Sequence, residues 1–174
     1  MQISTEEDTT MSYLTYFASD RPLQEQPNPY VKTYSINEAL AANIEVDLEL
    51  FESDIDKNKP DVILYCEDEE NFECPNIYCI DKNDFYDDIG TSKPFCAVLE
   101  GGRLSIKYMD CIMQYMKDAL KKTTEIELWS VWLGDEDTGK YPKKTFFSIR
   151  NLTSEHLLEY LEHDVHCKCM IITC

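Results

Sequence analysis

The stretch Glu125–Gly134, EIELWSVWLG, alternates along its whole length, and its reading decides the fold class. Successive side chains of an extended chain point to opposite faces. Ile126, Leu128, Ser130 and Trp132 therefore share one face, and Glu127, Trp129, Val131 and Leu133 share the other. Both faces carry a tryptophan. Such a strand belongs in the middle of a sheet, covered on one side by a helix and partly covered on the other.

The covering helix stands just upstream. From Arg103 to Lys122 apolar residues recur at Leu104, Tyr108, Cys111, Ile112, Tyr115, Met116 and Ala119, the spacing of one helical face. Gly101 and Gly102 make the preceding turn, and Lys121 and Lys122 suit the negative end of the helix dipole. Met109 and Met113 widen the stripe and are read as core. Downstream, TFFSIR is a further strand, SEHLLEYLEH a helix capped by Thr153, and CKCMIITC a closing strand.

On the N-terminal side, MSYLTYFAS from Met11 is a first strand, and the loop DRPLQEQPNPY holds three prolines. VKTYSI resumes a short strand. Ser35 and Glu38 have capping-box spacing, which predicts a helix over Ile36–Asn43. VDLELFES leaves strand, helical turn and loop open, whereas the continuous apolar run PDVILYC predicts a central strand buried on both faces. NIYCI and PFCAVL are the next strands. The sum is an α/β (mixed α+β) fold, a single mixed β-sheet packed by one long and two shorter helices. Residues 1–10 are expected to be a disordered acidic tail and residues 11–174 a single globular domain.

Charge is the strongest pointer to function. The chain carries 34 acids against 16 bases, a net −18, and from Glu45 to Glu100 it holds 17 acids and 4 bases. Such a field repels nucleic-acid phosphates and anionic lipid and accelerates association with basic proteins. The N-terminus is acidic and polar, and no apolar run reaches the roughly 20 residues of a membrane span. A cytoplasmic location is expected, with the eight cysteines reduced. Asp54, Asp56, Glu67, Asp68, Glu69, Glu70, Asp87 and Asp88 are the candidate partner-binding residues, with Asp135, Glu136 and Asp137 as a second acidic turn.

The segment CEDEENFECPNIYC could be a metal site, but its cysteine spacings are wider than the close pairs that structural zinc uses. His163, His166, Cys167 and Cys169 in HDVHCKC are the better metal alternative, although alternation puts both thiols on one sheet face. There is no G-x-S-x-G elbow, P-loop, G-x-G-x-x-G or H-E-x-x-H motif, so neither catalysis nor a cofactor is expected.

YFASDRPL…PNP, SINEAL, KPDVILYCEDEEN, TSKPFCAVLE and TEIELWSVWLGDE together resemble a family of small, acidic, uncharacterised bacterial cytoplasmic proteins. The general character is similar to that of immunity proteins of bacterial toxin systems. That resemblance implies a compact α/β protein that restrains a basic toxin or nuclease through an acidic face, without contacting nucleic acid itself. The alternative is a self-associating scaffold, a homodimer formed through an aromatic surface that includes Trp129 or Trp132.

Overall fold

The computed structural model describes residues 13–81, 90–132, 143–162 and 167–174. The expected tail, and with it Asp87, Asp88, Asp135, Glu136, Asp137, His163 and His166, lies outside the described residues.

Among the described residues eight strands run in chain order: β1 Tyr13–Ser19, β2 Lys32–Tyr34, β3 Ile63–Tyr65, β4 Asn76–Ile80, β5 Phe95–Glu100, β6 Glu125–Trp132, β7 Lys143–Ser148 and β8 Cys167–Thr173. The helices are α1 Ile36–Ala41, α2 Leu48–Glu52, α3 Ile106–Ala119 and α4 Ser154–Glu162. Six strands form one mixed sheet in the order β4-β5-β1-β6-β8-β7, antiparallel except for the β7–β8 pair. This is the mixed α+β fold class that the sequence predicts. A separate two-stranded sheet pairs β2 with β3.

The alternation of β6 becomes two buried faces. Phe17 sits between Ala97 and Leu128 in register, and Leu128 lies opposite Met170. That row joins Tyr108, Met109, Ile112, Met116 and Leu157 of α3 and α4 in the main core. One residue along, Tyr16 sits between Val98 and Trp129, and Trp129 lies opposite Cys169. These side chains form a second buried cluster on the opposite face. Met109 and Met113 are both buried, as core packing requires.

Local signals place the helices. Ser35 caps α1 with both halves of a capping box: its hydroxyl accepts from the Glu38 N–H at 3.2 Å, and the Glu38 carboxylate accepts from the Ser35 N–H at 2.8 Å. Hydrogen bonding from the Ser35 backbone N–H, and then from its side chain, holds the Glu38 carboxyl below its ordinary value. At α3 the Ser105 hydroxyl accepts from the Tyr108 N–H at 3.1 Å, and at the start of α4 the Thr153 hydroxyl accepts from the His156 N–H. None of the described helices is long and apolar enough to cross a membrane.

Three expectations change, and one open reading is resolved. PDVILYC is not a central strand: β3 is three residues long and pairs only with β2, and Leu64 is 63% exposed. Asp61, just ahead of β3, adopts a positive φ of 58°, and the Val62 N–H donates to the Tyr34 carbonyl at 3.0 Å, so the run enters β3 beside β2 rather than in the large sheet. Leu104 precedes α3 and is exposed, because the Ser105 cap starts the helix after it. VDLELFES resolves as α2, capped by Asp47, whose side chain accepts from the Glu49 N–H at 2.8 Å. Finally, not all cysteines are reduced: Cys74 and Cys111 form a disulfide, since α3 carries Cys111 against the turn that ends at Cys74.

Candidate functional site: an acidic surface between β2 and β4

The six candidate acids between β2 and β4 fall into two groups. Asp54 and Asp56 follow α2, and Asp56 caps its own loop by accepting from the Asn58 N–H at 3.0 Å. The same loop is tied to the start of α1, where the Asn37 N–H donates to the Lys57 carbonyl at 3.1 Å. Glu67, Asp68, Glu69 and Glu70 follow β3. Asp68 caps the 3-10 turn Glu69–Glu73, accepting from the Glu70 N–H at 3.1 Å. All six carboxylates are exposed. No hydrogen bond or ion pair among the described residues joins one group to the other.

Few cations answer these charges. Lys32 Nζ lies 3.0 Å from Glu67 Oε1 across the β2–β3 pair, and that bond raises the lysine's affinity for its proton. Both side chains are largely exposed, so this pair adds little to stability. Lys57 turns its Nζ over the Phe51 ring at 3.9 Å. Among the described residues Asp54, Asp56, Asp68, Glu69 and Glu70 have no ion-pair partner.

The second group is anchored on the main sheet by a residue whose importance the sequence reading missed. Asn28 is 5% exposed. Its Nδ2 donates to the Asn71 carbonyl at 2.8 Å and to the Cys74 carbonyl at 2.9 Å, while its Oδ1 accepts from the Tyr30 N–H at 3.0 Å. Its own N–H donates to Asn76 Oδ1 at 2.8 Å. The neighbouring Gln26 forms a two-way backbone bridge with Ile77, so this segment lies along β4. Asn28→Ala should cost about 1–3 kcal/mol through two carbonyls and one N–H left without partners. Urea unfolding of the two proteins measures it. An asparagine between two prolines was the available signal, since such a side chain often closes a turn by bonding nearby backbone.

The opposite face of the sheet holds a second polar constellation. Glu127 is 4% exposed, and its Oε2 accepts from the Thr91 hydroxyl at 2.6 Å and from Trp129 Nε1 at 2.8 Å. Trp129 stacks on Tyr16 with ring centroids 5.9 Å apart, and Lys144 Nζ lies 5.7 Å from its ring. Trp129 is wholly buried, which withdraws it from the aromatic surface expected of a homodimer. The Trp132 side chain lies outside the described residues.

Cys167 and Cys169 share the second face, as their spacing predicts. Burial pushes both thiols up, Cys169 to about 12, with the nearby Glu127 carboxylate adding to the effect. Metal ligation and nucleophilic attack both need the thiolate, which this environment disfavours. Among the described residues no group of three or more His, Cys, Asp and Glu side chains is arranged to hold a metal. No family model matches the chain, and neither does any curated protein or solved structure.

Proposed function

We propose that this protein is an acidic protein-binding module, an immunity-type or inhibitor protein that holds a basic partner against the carboxylates between α2 and β4. The observation that supports this reading is a dense set of exposed acids with few internal cations to answer them. From Glu45 to Glu73 there are twelve carboxylates, against Lys57 and Lys59. Asp56 and Asp68 each spend one oxygen on a local backbone cap, which fixes the loop while leaving the carboxylate charge outward. Carboxylates positioned before they meet Arg or Lys form charge-assisted bonds at a reduced ordering cost. The partner is then a protein with a basic groove, such as a toxin or nuclease. Catalysis plays no part in this reading.

The test has two stages. Proteins retained from native cytosol at low salt and released at high salt are identified by mass spectrometry, and the basic candidate is purified. Its affinity is then measured over a salt series against the wild type and against Asp54→Asn, Asp56→Asn, Glu69→Gln and Glu70→Gln combined. The expected result is at least a tenfold loss of affinity, carried mainly by slower association, together with a shallower salt dependence. Equal affinity and equal salt dependence in the two proteins would sink the proposal.

A further inference from the structure

The Cys74–Cys111 disulfide occupies an unusual place. Cys74 ends the 3-10 turn Glu69–Glu73, and Cys111 lies in the middle of α3, with the two Cα atoms 6.0 Å apart. The bond is the covalent tie between the acidic turn and the long helix. A cavity of about 210 Å³ lies against it, lined by both cysteines together with Gln26, Tyr30, Lys107 and Asp110. Tyr30 is 44% exposed and Asp110 is exposed, so the cavity opens to solvent at the disulfide.

The other cysteines have different surroundings. Cys96 and Cys169 are buried beneath the second face of the sheet, and Cys79 donates to the Leu23 carbonyl at 3.3 Å. Lys107 stands one helical turn before Cys111 and lines the same cavity, its Nζ 5.1 Å from the Tyr30 ring. One cation and one anion therefore flank the entrance. An incoming thiolate meets no net repulsion from these two groups, although the chain as a whole is strongly negative.

We infer that the Cys74–Cys111 bond is a thiol-exchange site, reached through this cavity by a small dithiol reductant, and that its reduction loosens the acidic turn from α3. Cys111 is the partly exposed member of the pair and Cys74 is 2% exposed, so attack falls on Cys111 Sγ. The reductant's thiolate forms a bond to that sulfur, the bond between the two cysteines breaks, and Cys74 leaves as a thiolate that takes up a proton. The reductant's second thiol then attacks its own sulfur in the mixed disulfide. Cys111 is released as a thiol and the reductant closes its own disulfide. The dithiol loses two electrons and two protons, and the two cysteines gain them.

Reduction leaves the turn held by Asn28 and by packing, so it loosens locally while the sheet stays intact. The inference is independent of the acidic face meeting a basic partner. The test uses the purified, full-length native protein, alkylated with iodoacetamide before and after treatment with dithiothreitol and mapped by peptide mass. Before reduction, Cys74 and Cys111 are expected as one cross-linked peptide pair. After native reduction both are labelled, Cys169 stays unlabelled until denaturant is added, and amide exchange over residues 68–76 rises several-fold with the β6 amides unchanged. Labelling of both residues without reductant would overturn the inference. So would a bond that opens only in denaturant, or exchange over residues 68–76 that does not change on reduction.

Discussion

Replacing Trp129 with alanine is expected to remove about 3–5 kcal/mol of stability, the range for deleting a fully buried aromatic side chain. That is a large part of the roughly 5–15 kcal/mol that holds a domain of this kind together. Trp129 is wholly buried in β6, with Tyr16 on one neighbouring strand and Cys169 on the other. Its removal empties the middle of the second face and ends the parallel stacking with Tyr16, whose rings are inclined by 3°. It also takes one of two donors from the buried Glu127 carboxylate. Trp129→Phe is the milder change, because it keeps much of the packing while losing the N–H and part of the ring volume. About 1–3 kcal/mol is expected for that milder change. Urea unfolding with matched m-values decides the matter, and a loss below about 1 kcal/mol for the alanine variant would show that the cavity refills at little cost.

Gly102→Ala is expected to have a comparable effect from a single methyl group. Gly102 has φ 76°, a conformation that side-chain-bearing residues rarely adopt. A Cβ there would lie 2.3 Å from the Glu73 carbonyl oxygen and 2.8 Å from the Tyr108 ring. The first of these is backbone, and Tyr108 is 5% exposed in the core, so neither neighbour can step aside easily. Strain and overpacking each cost about 1–3 kcal/mol, giving a loss on the order of 3 kcal/mol. Gly101→Ala is the control. It shares the positive φ, but its nearest contact, Asn76 Nδ2, is 3.9 Å away. Thermal unfolding should therefore rank Gly102→Ala well below Gly101→Ala, and equal melting temperatures would refute the close approach.

Periodicity made most of this architecture legible. Glu125–Trp132 showed two apolar faces, and from Ile126 to Ser130 both are buried in the structure. Ser35 with Glu38, Thr153, and the Gly101–Gly102 turn were readable because each is a local chemical signal. PDVILYC misled because an apolar run carries no information about which partner it pairs with, and β3 found only the short β2. The Cys74–Cys111 bond was hidden by a sequence separation of 37, across which spacing predicts nothing. Of the candidate carboxylates, Asp54, Asp56 and Glu67–Glu70 were found because acidity is visible in composition, and their exposure is now explicit. The anchoring of Glu67–Glu70 was not legible, because Asn28 acts on Asn71 and Cys74 from more than forty residues away.

The place of β1 between β5 and β6 has a consequence during synthesis. Phe17 finds its partner Ala97 about 80 residues later, and Leu128 later still. At a ribosomal pace of about 5–20 residues per second, the apolar strand YLTYFAS waits on the order of ten seconds before either neighbour exists. The middle of the sheet is thus made first and completed late. A nascent chain halted before β5 would present an unpaired, aggregation-prone strand, whereas one extended through β6 could close the sheet around it.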